Sequence, residues 1–233
     1  MVEANTVSRE NWLAARLALL EQEKALTRQR DEVSAARRAL PRVKVEEDYQ
    51  FQSEKGEETL ADLFDGRSQL IVQHFMFGAD WNEGCKACSL MAENYDGVLL
   101  HLKQRDVSLV ATSRAPLDKL LAFRDRMGWG FKWVSSLGSD FNADFDVGFT
   151  SAQIEGEVCY NYHKTKFPMT EAPGMSVFAR DSDSVVYHTY SCYGRGLDPL
   201  MGTYQYLDLV PKGRDEDNLF YGMEWVRHHD NYE

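Results

Sequence analysis

Leu70-Ile71-Val72-Gln73-His74-Phe75-Met76-Phe77 is a nearly unbroken apolar run, and Gly84-Cys85-Lys86-Ala87-Cys88 follows it after a short loop. An apolar run of this length reads as a central strand covered on both faces. Beyond the cysteines a helical pattern extends from Leu90-Met91 to Leu99-Leu100. Two cysteines at i and i+3 on the first turn of a helix carry both sulfurs on one face, close enough to bridge. A strand that feeds a C-x-x-C helix start is an arrangement suited to thiol–disulfide exchange.

On either side the strand–helix alternation continues. Val107-Ser108-Leu109-Val110-Ala111-Thr112 reads as a second buried strand, and residues 117–124 as a helix with Leu117, Leu120 and Leu121 on one face. Trp133-Val134-Ser135-Ser136 is a short strand, whereas residues 138–170 are aromatic and polar without clear periodicity. Residues 175–180 and 185–190 flank Asp181-Ser182-Asp183-Ser184 and give a β-hairpin signal. A helix is expected from about 197 to 209, stopped by Pro211. Upstream, Val43-Lys44-Val45 and Tyr49-Gln50-Phe51 read as extended, and residues 56–64 as a turn with one short helix. The order β-α-β-α-β, hairpin, helix predicts an α/β protein with a mixed sheet.

Residues 8–40 read as one long helix, capped by Ser8 with Asn11 and ended by Pro41. Trp12, Leu19, Leu26, Val33 and Leu40 recur every seven residues, with Leu13, Leu17 and Leu20 widening the stripe early on. Beyond Leu20 one apolar residue per heptad is too thin for a coiled coil. Two uses remain open, a helix packed on its own domain or an arm pairing with a second copy as a homodimer. The expected organisation is a helical arm over 1–41, an α/β domain over 42–212 and a tail over 213–233. That tail is acidic and then aromatic, with Phe220, Tyr221 and Trp225 ahead of His228-His229.

The 233 residues are 43% hydrophobic and 27% charged, which fits an ordinary globular domain with additions. A formal net charge of -11 argues against nonspecific nucleic-acid binding, which needs clustered Lys and Arg. No segment approaches the roughly 20 apolar residues that span a bilayer. Met1-Val2-Glu3-Ala4-Asn5-Thr6 lacks the basic and apolar regions of a secretory signal, so a cytoplasmic location is expected. Four cysteines are too few for a disulfide scaffold, and in a reducing compartment a close pair is more often redox-active or metal-binding than structural. Cys159 and Cys192 stand alone and are expected to be inert buried thiols.

Several further motifs accompany the cysteine pair. They are Phe75-Met76-Phe77-Gly78, Trp133-Val134-Ser135-Ser136 and Ser139-Asp140-Phe141-Asn142. Later come Pro173-Gly174-Met175-Ser176-Val177-Phe178-Ala179-Arg180, then Tyr193-Gly194-Arg195-Gly196-Leu197-Asp198 leading into Met201-Gly202-Thr203-Tyr204. Together they closely resemble, over nearly the whole chain, the bacterial thioredoxin-like family catalogued as domain of unknown function 899. The resemblance implies a thioredoxin-like fold, a central mixed sheet flanked by helices, with an N-terminal helical extension. It also implies a dithiol–disulfide oxidoreductase, a label resting on fold and motif.

Cys85 is the candidate nucleophile, nearer the unpaired N–H groups of the helix start, and Cys88 the resolving partner. An ordinary thiol of pKa ~8.5 is only about 3% thiolate at pH 7, and lowering it to about 7 makes it half ionised. Lys86 adds a cation in the same direction. The substrate would be a protein or low-molecular-weight disulfide, with an electron donor the sequence does not identify and no cofactor or metal required. His74 is the candidate proton relay, in the place where thioredoxins keep a buried acid. A core histidine with a satisfied ring is its ordinary alternative.

Pro173 stands where thioredoxin-like proteins put a cis-proline that presents backbone to substrate. Trp81 and Arg195 are further candidates for substrate contact, although an ion pair with Asp198 is the more ordinary use of Arg195. Trp81 lies four residues before Cys85, and the dipeptide between the cysteines lacks proline or histidine, so the reduction potential is undetermined. Two other readings stay open. The cysteines could join histidines such as His163, His188, His228 or His229 in a zinc site, although no second C-x-x-C or H-x-x-x-H exists. Residues 49–64 resemble the lead-in of peroxide reductases, yet no Pro-x-x-x-Thr-x-x-Cys element precedes Cys85.

Overall fold

A computed structural model describes residues 5–233; Met1–Ala4, read above for a secretory signal, lie outside the described residues. The chain divides into two compact units, Met1–Pro41 and Arg42–Glu233. The first is helix α1, Arg9–Arg38, whose N-cap Ser8 accepts the Asn11 N–H at 3.2 Å. Glu10 in its first turn and Arg37 and Arg38 in its last complement the helix dipole. Arg16 pairs with Glu23 at 2.8 Å and Lys24 with Glu21 at 2.9 Å. None of its residues is buried, and the seven-residue stripe of Trp12, Leu19, Leu26 and Val33 is exposed. No helix among the described residues is long and apolar enough to cross a membrane.

In the second unit come β1 (Val43–Lys44), β2 (Gln50–Ser53), β3 (Gly56–Thr59), a 3-10 turn (Asp62–Phe64) and β4 (Gln69–His74). Helices α2 (Lys86–Ala92) and α3 (Tyr95–Gln104) follow, then β5 (Val107–Ser113), α4 (Leu117–Arg126) and β6 (Trp133–Ser135). Residues 138–170, without period in the sequence, hold α5 (Phe141–Asp144), α6 (Ser151–Ile154), β7 (Val158–Tyr160) and β8 (His163–Thr165). The chain closes with β9 (Gly174–Arg180), β10 (Val186–Tyr193), a 3-10 segment (Gly194–Leu200) and α7 (Gly202–Leu207).

Among the described residues the main sheet runs β1-β10-β9-β4-β5-β6-β2-β3, with β7-β8 as a separate ribbon. β4 pairs parallel with β5 from Gln69↔Val107 to His74↔Thr112, and β5 parallel with β6. On its other side β4 pairs antiparallel with β9, which forms the hairpin with β10. A parallel β-α-β half, a hairpin laid beside its first strand and a closing helix make this a thioredoxin-like α/β fold with an N-terminal helix.

Three expected elements differ in detail. The helical pattern after Cys85 is two helices, because Asn94 turns its amide back to the Met91 carbonyl at 3.2 Å. Residues 56–59 form a strand rather than a turn, paired along β2 from Gln50↔Thr59 to Ser53↔Gly56. The helix expected over 197–209 is split, since Pro199 lies in the 3-10 segment and only Gly202–Leu207 is α-helical.

Alternation along β4 sorts its side chains between two cores. Leu70 and Val72 join Val110, Phe141 and Phe178 on one face. Ile71 packs on the other, where Phe75, Cys88, Met91, Phe123 and Trp133 cluster. Each large apolar side chain so buried is worth roughly 1.5–3 kcal/mol. The cysteines therefore start their helix against an apolar, aromatic cluster.

Candidate active site

The loop between β4 and α2 is fixed by backbone bonds before any side chain acts. Phe75 N–H extends the parallel ladder to the Thr112 carbonyl at 2.9 Å, and Ala115 N–H reaches the Phe77 carbonyl at 2.9 Å. Cys85 N–H then bonds the Met76 carbonyl at 3.0 Å, bringing the cysteine back over the end of the strand. Gly84 permits this approach: a Cβ there would lie 2.7 Å from the Phe75 ring.

Cys85 is the N-cap of α2 rather than a residue of its first turn, and its sulfur accepts the Cys88 N–H at 3.5 Å. Cys85 is half-buried, Cys88 is 2% exposed, and both are free thiols. The Cys88 thiol donates to the Cys85 sulfur, and that bond leads the effects that bring the Cys85 pKa down to about 7. Burial opposes the shift, and the N–H groups of Cys88 and Ala87 assist it. The same bond holds Cys88 well above the ordinary thiol range, with burial and the charges of Cys85 and Glu171 acting in the same direction. Lys86 is exposed and is not among the groups that lower Cys85.

Both cysteines open into a cavity of about 740 Å³. Met76, Met91, Leu197 and Met201 are its apolar lining, and residues 212–217 with 222–223 also line it. Pro173 and Arg195 also line it. The cis expectation for Pro173 is not met, because no peptide bond among the described residues is cis, yet the residue stands beside the cysteines as expected. Arg195 does pair with Asp198, at 3.3 Å, while its side chain stays 89% exposed. Trp81 is half-buried, does not line the cavity, and packs against the core below.

His74 does not serve the cysteines. Its Nε2 meets the Ser176 hydroxyl at 2.8 Å, and its ring stacks on Phe145 in the core of the opposite sheet face. Burial takes its pKa down to about 3, so it is a neutral core residue. The polar neighbour on the cysteine face is Gln73, whose Nε2 donates to the Cys88 carbonyl at 3.3 Å. The ionisable neighbour is Glu171, 2% exposed and paired with Arg114, whose Nε lies 2.7 Å from its Oε1. Burial raises the Glu171 carboxyl, and Arg114 partly offsets this. Tyr95 is also buried near the pair, its hydroxyl without a hydrogen-bond partner among the described residues and its ionisation opposed first by burial and then by the charge of Cys88.

The C-terminal residues complete the site. His228, 1% exposed, donates from Nε2 to the carbonyl of Gly84 at 2.9 Å. Glu216 Oε1 accepts from Tyr204 Oη at 2.8 Å, Met223 N at 2.9 Å and Trp225 Nε1 at 2.7 Å. Cys159 is exposed, against expectation, since β7 lies outside the main sheet. Cys192 is half-buried against the cysteine-side core. His188 Nε2 faces the Ser191 hydroxyl at 2.7 Å, and His228 Nε2 faces the Gly84 carbonyl at 2.9 Å. Among the described residues no group of three or more His, Cys, Asp and Glu is arranged to hold a metal ion.

No curated protein matches the chain. Among solved structures it is similar to the peroxidoxin BcpB of Mycobacterium tuberculosis, at 14% identity and TM-score 0.45, over 72% of this chain and 96% of that one. Peroxiredoxin Q of Xanthomonas campestris gives 12% identity and TM-score 0.44, over 67% and 89%. A Chlorobium tepidum protein provisionally called a thiol:disulfide interchange protein DsbE gives 12% and 0.39, over 64% and 86%. The strand order, rather than these distant likenesses, defines the fold. The family model described as bacterial protein of unknown function (DUF899) matches residues 1–232, and the chain belongs to that family.

Proposed function

We propose that the protein is a dithiol–disulfide oxidoreductase with Cys85 as nucleophile and Cys88 as resolving thiol. One observation carries the reading: a half-exposed N-cap cysteine, lowered to about 7, accepts a hydrogen bond from a buried, raised partner and faces a cavity. The Cys85 thiolate bonds to one sulfur of a substrate disulfide as the S–S bond breaks and the first thiolate leaves. Cys88 gives up its proton and bonds to the Cys85 sulfur as the second thiolate leaves. Two electrons pass from the pair to the substrate, and a thiol donor returns them by the reverse exchange.

The raised Cys88 suits the second step, because it keeps its proton until the mixed disulfide forms. A redox titration in dithiothreitol buffers tests the reading, with free thiols alkylated and weighed by mass spectrometry. One two-electron transition that maps to Cys85 and Cys88 and disappears in Cys85→Ser is expected. A pair that stays unbridged in fully oxidised buffer would overturn it.

A further inference from the structure

The cavity beside the cysteines has the dimensions of a small-molecule site, about 740 Å³ against roughly 300–1,000 Å³ for typical ligand pockets. Its wall is built rather than loose. Glu216 is held by its three donors, and Arg214 lies over the Tyr204 ring at 3.8 Å while bonding Asp198 and Asp208, each at 2.8 Å. Those charges are consumed by the wall itself.

Four charges on the same cavity remain available. Lys212, Asp215 and Asp217 are exposed. None of these three has a hydrogen bond or ion pair among the described residues. Arg195 has only its 3.3 Å contact with Asp198. Two cations and two anions thus line the same cavity as the methionines, the leucine and Cys85.

We infer that this cavity binds low-molecular-weight disulfides carrying both ammonium and carboxylate groups, the amino-acid disulfide class, and presents their sulfur to Cys85. The inference rests on the dithiol exchange proposed above. Carboxylates pair with Lys212 and Arg195, ammonium groups with Asp215 and Asp217, and the methylene and sulfur segment lies on the methionines. Cys85 is half-buried in that cavity, which favours a small disulfide over one carried on a folded protein. Each turnover converts one RSSR and two protein thiols into two RSH and the Cys85–Cys88 disulfide, so a single turnover needs no other reductant.

The test is single-turnover oxidation of pre-reduced full-length protein by four small disulfides: cystine, dicationic cystamine, dianionic 3,3'-dithiodipropionate and neutral 2-hydroxyethyl disulfide. Insulin is the protein comparator. Each rate is divided by the rate of dithiothreitol with the same disulfide, which removes differences in leaving-group reactivity. Cystine should exceed each of the others by about fivefold or more, the scale of two exposed charge pairs. In Asp215→Asn/Asp217→Asn, with folding checked by circular dichroism, the ratio of cystine to dithiodipropionate should fall about threefold. Normalised rates equal across the four small disulfides, insulin reacting as fast as cystine, or an unchanged ratio in the double variant would each overturn the inference. Oxidation of the pair by 2-hydroxyethyl disulfide without a cystine preference would leave the exchange reading standing. A pair inert to all five would overturn both.

Discussion

His228 donates from Nε2 to the carbonyl oxygen of Gly84 at 2.9 Å, tying the last residues of the chain to the peptide that precedes Cys85. The ring also packs edge-on against Phe123 at 5.1 Å, and Phe123 in turn lies beneath the position a Gly84 side chain would take. His228→Ala removes both contacts and leaves a buried carbonyl unpartnered. A stability loss of about 2–4 kcal/mol is expected from urea unfolding. A loss under about 0.5 kcal/mol, the scale of a featureless surface change, would contradict the tie.

The hydrogen bond from Cys88 gives Cys85 its own pH signature. Iodoacetamide should modify Cys85 with a midpoint near pH 7, while Cys88 stays protected into the alkaline range. Cys88→Ala removes the leading cause of the lowered value, so the midpoint should rise toward the ordinary thiol value of about 8.5. The same midpoint in both proteins would assign the shift to the backbone alone.

His74 makes stability pH-dependent without touching the chemistry. Its folded value is held near 3 against an ordinary 6.5, so above pH 6.5 neither state carries its charge. As pH falls below 6.5 the unfolded chain takes up a proton that the folded one refuses, and stability is lost from there down to about 3. By pH 5 the loss is roughly 2 kcal/mol at ~1.4 kcal/mol per pH unit. Urea midpoints at pH 7 and 5 should converge in His74→Gln. An undiminished difference would place the titration elsewhere.

Glu171 is the negative charge that acts on Cys88 from outside the pair. Glu171→Gln should lower the Cys88 pKa, read by alkylation in Cys85→Ser. It should also weaken the fold, because Arg114 loses its carboxylate at 2.7 Å and keeps only the carbonyls of Thr170 and Phe149. Alkylation of Cys88 unchanged in that background would remove Glu171 from the site.

Much of the core was legible because its signals are local. The apolar run of β4, the spacing of Cys85 and Cys88 and the turn Asp181–Ser184 each lie within one short segment, and each element formed in its place. Of the two readings of His74, relay or core histidine, the strand period already points to the core. Gln73 and His74 are adjacent on β4 and must face opposite ways, so only one of them could meet the cysteines. Glu171, His228 and the wall around Glu216 gave no such signal. They reach the site through hydrogen bonds between distant segments, such as Arg114 to Thr170 and His228 to Gly84, which no periodic pattern records.

The most direct measurement uses Cys88→Ser, which keeps the nucleophile and removes the thiol that would release it. Incubated with a small disulfide, this variant should accumulate a stable mixed disulfide that peptide mapping places on Cys85, reversed by dithiothreitol. No adduct on Cys85, or an adduct found equally on exposed Cys159, would contradict Cys85 as the attacking sulfur.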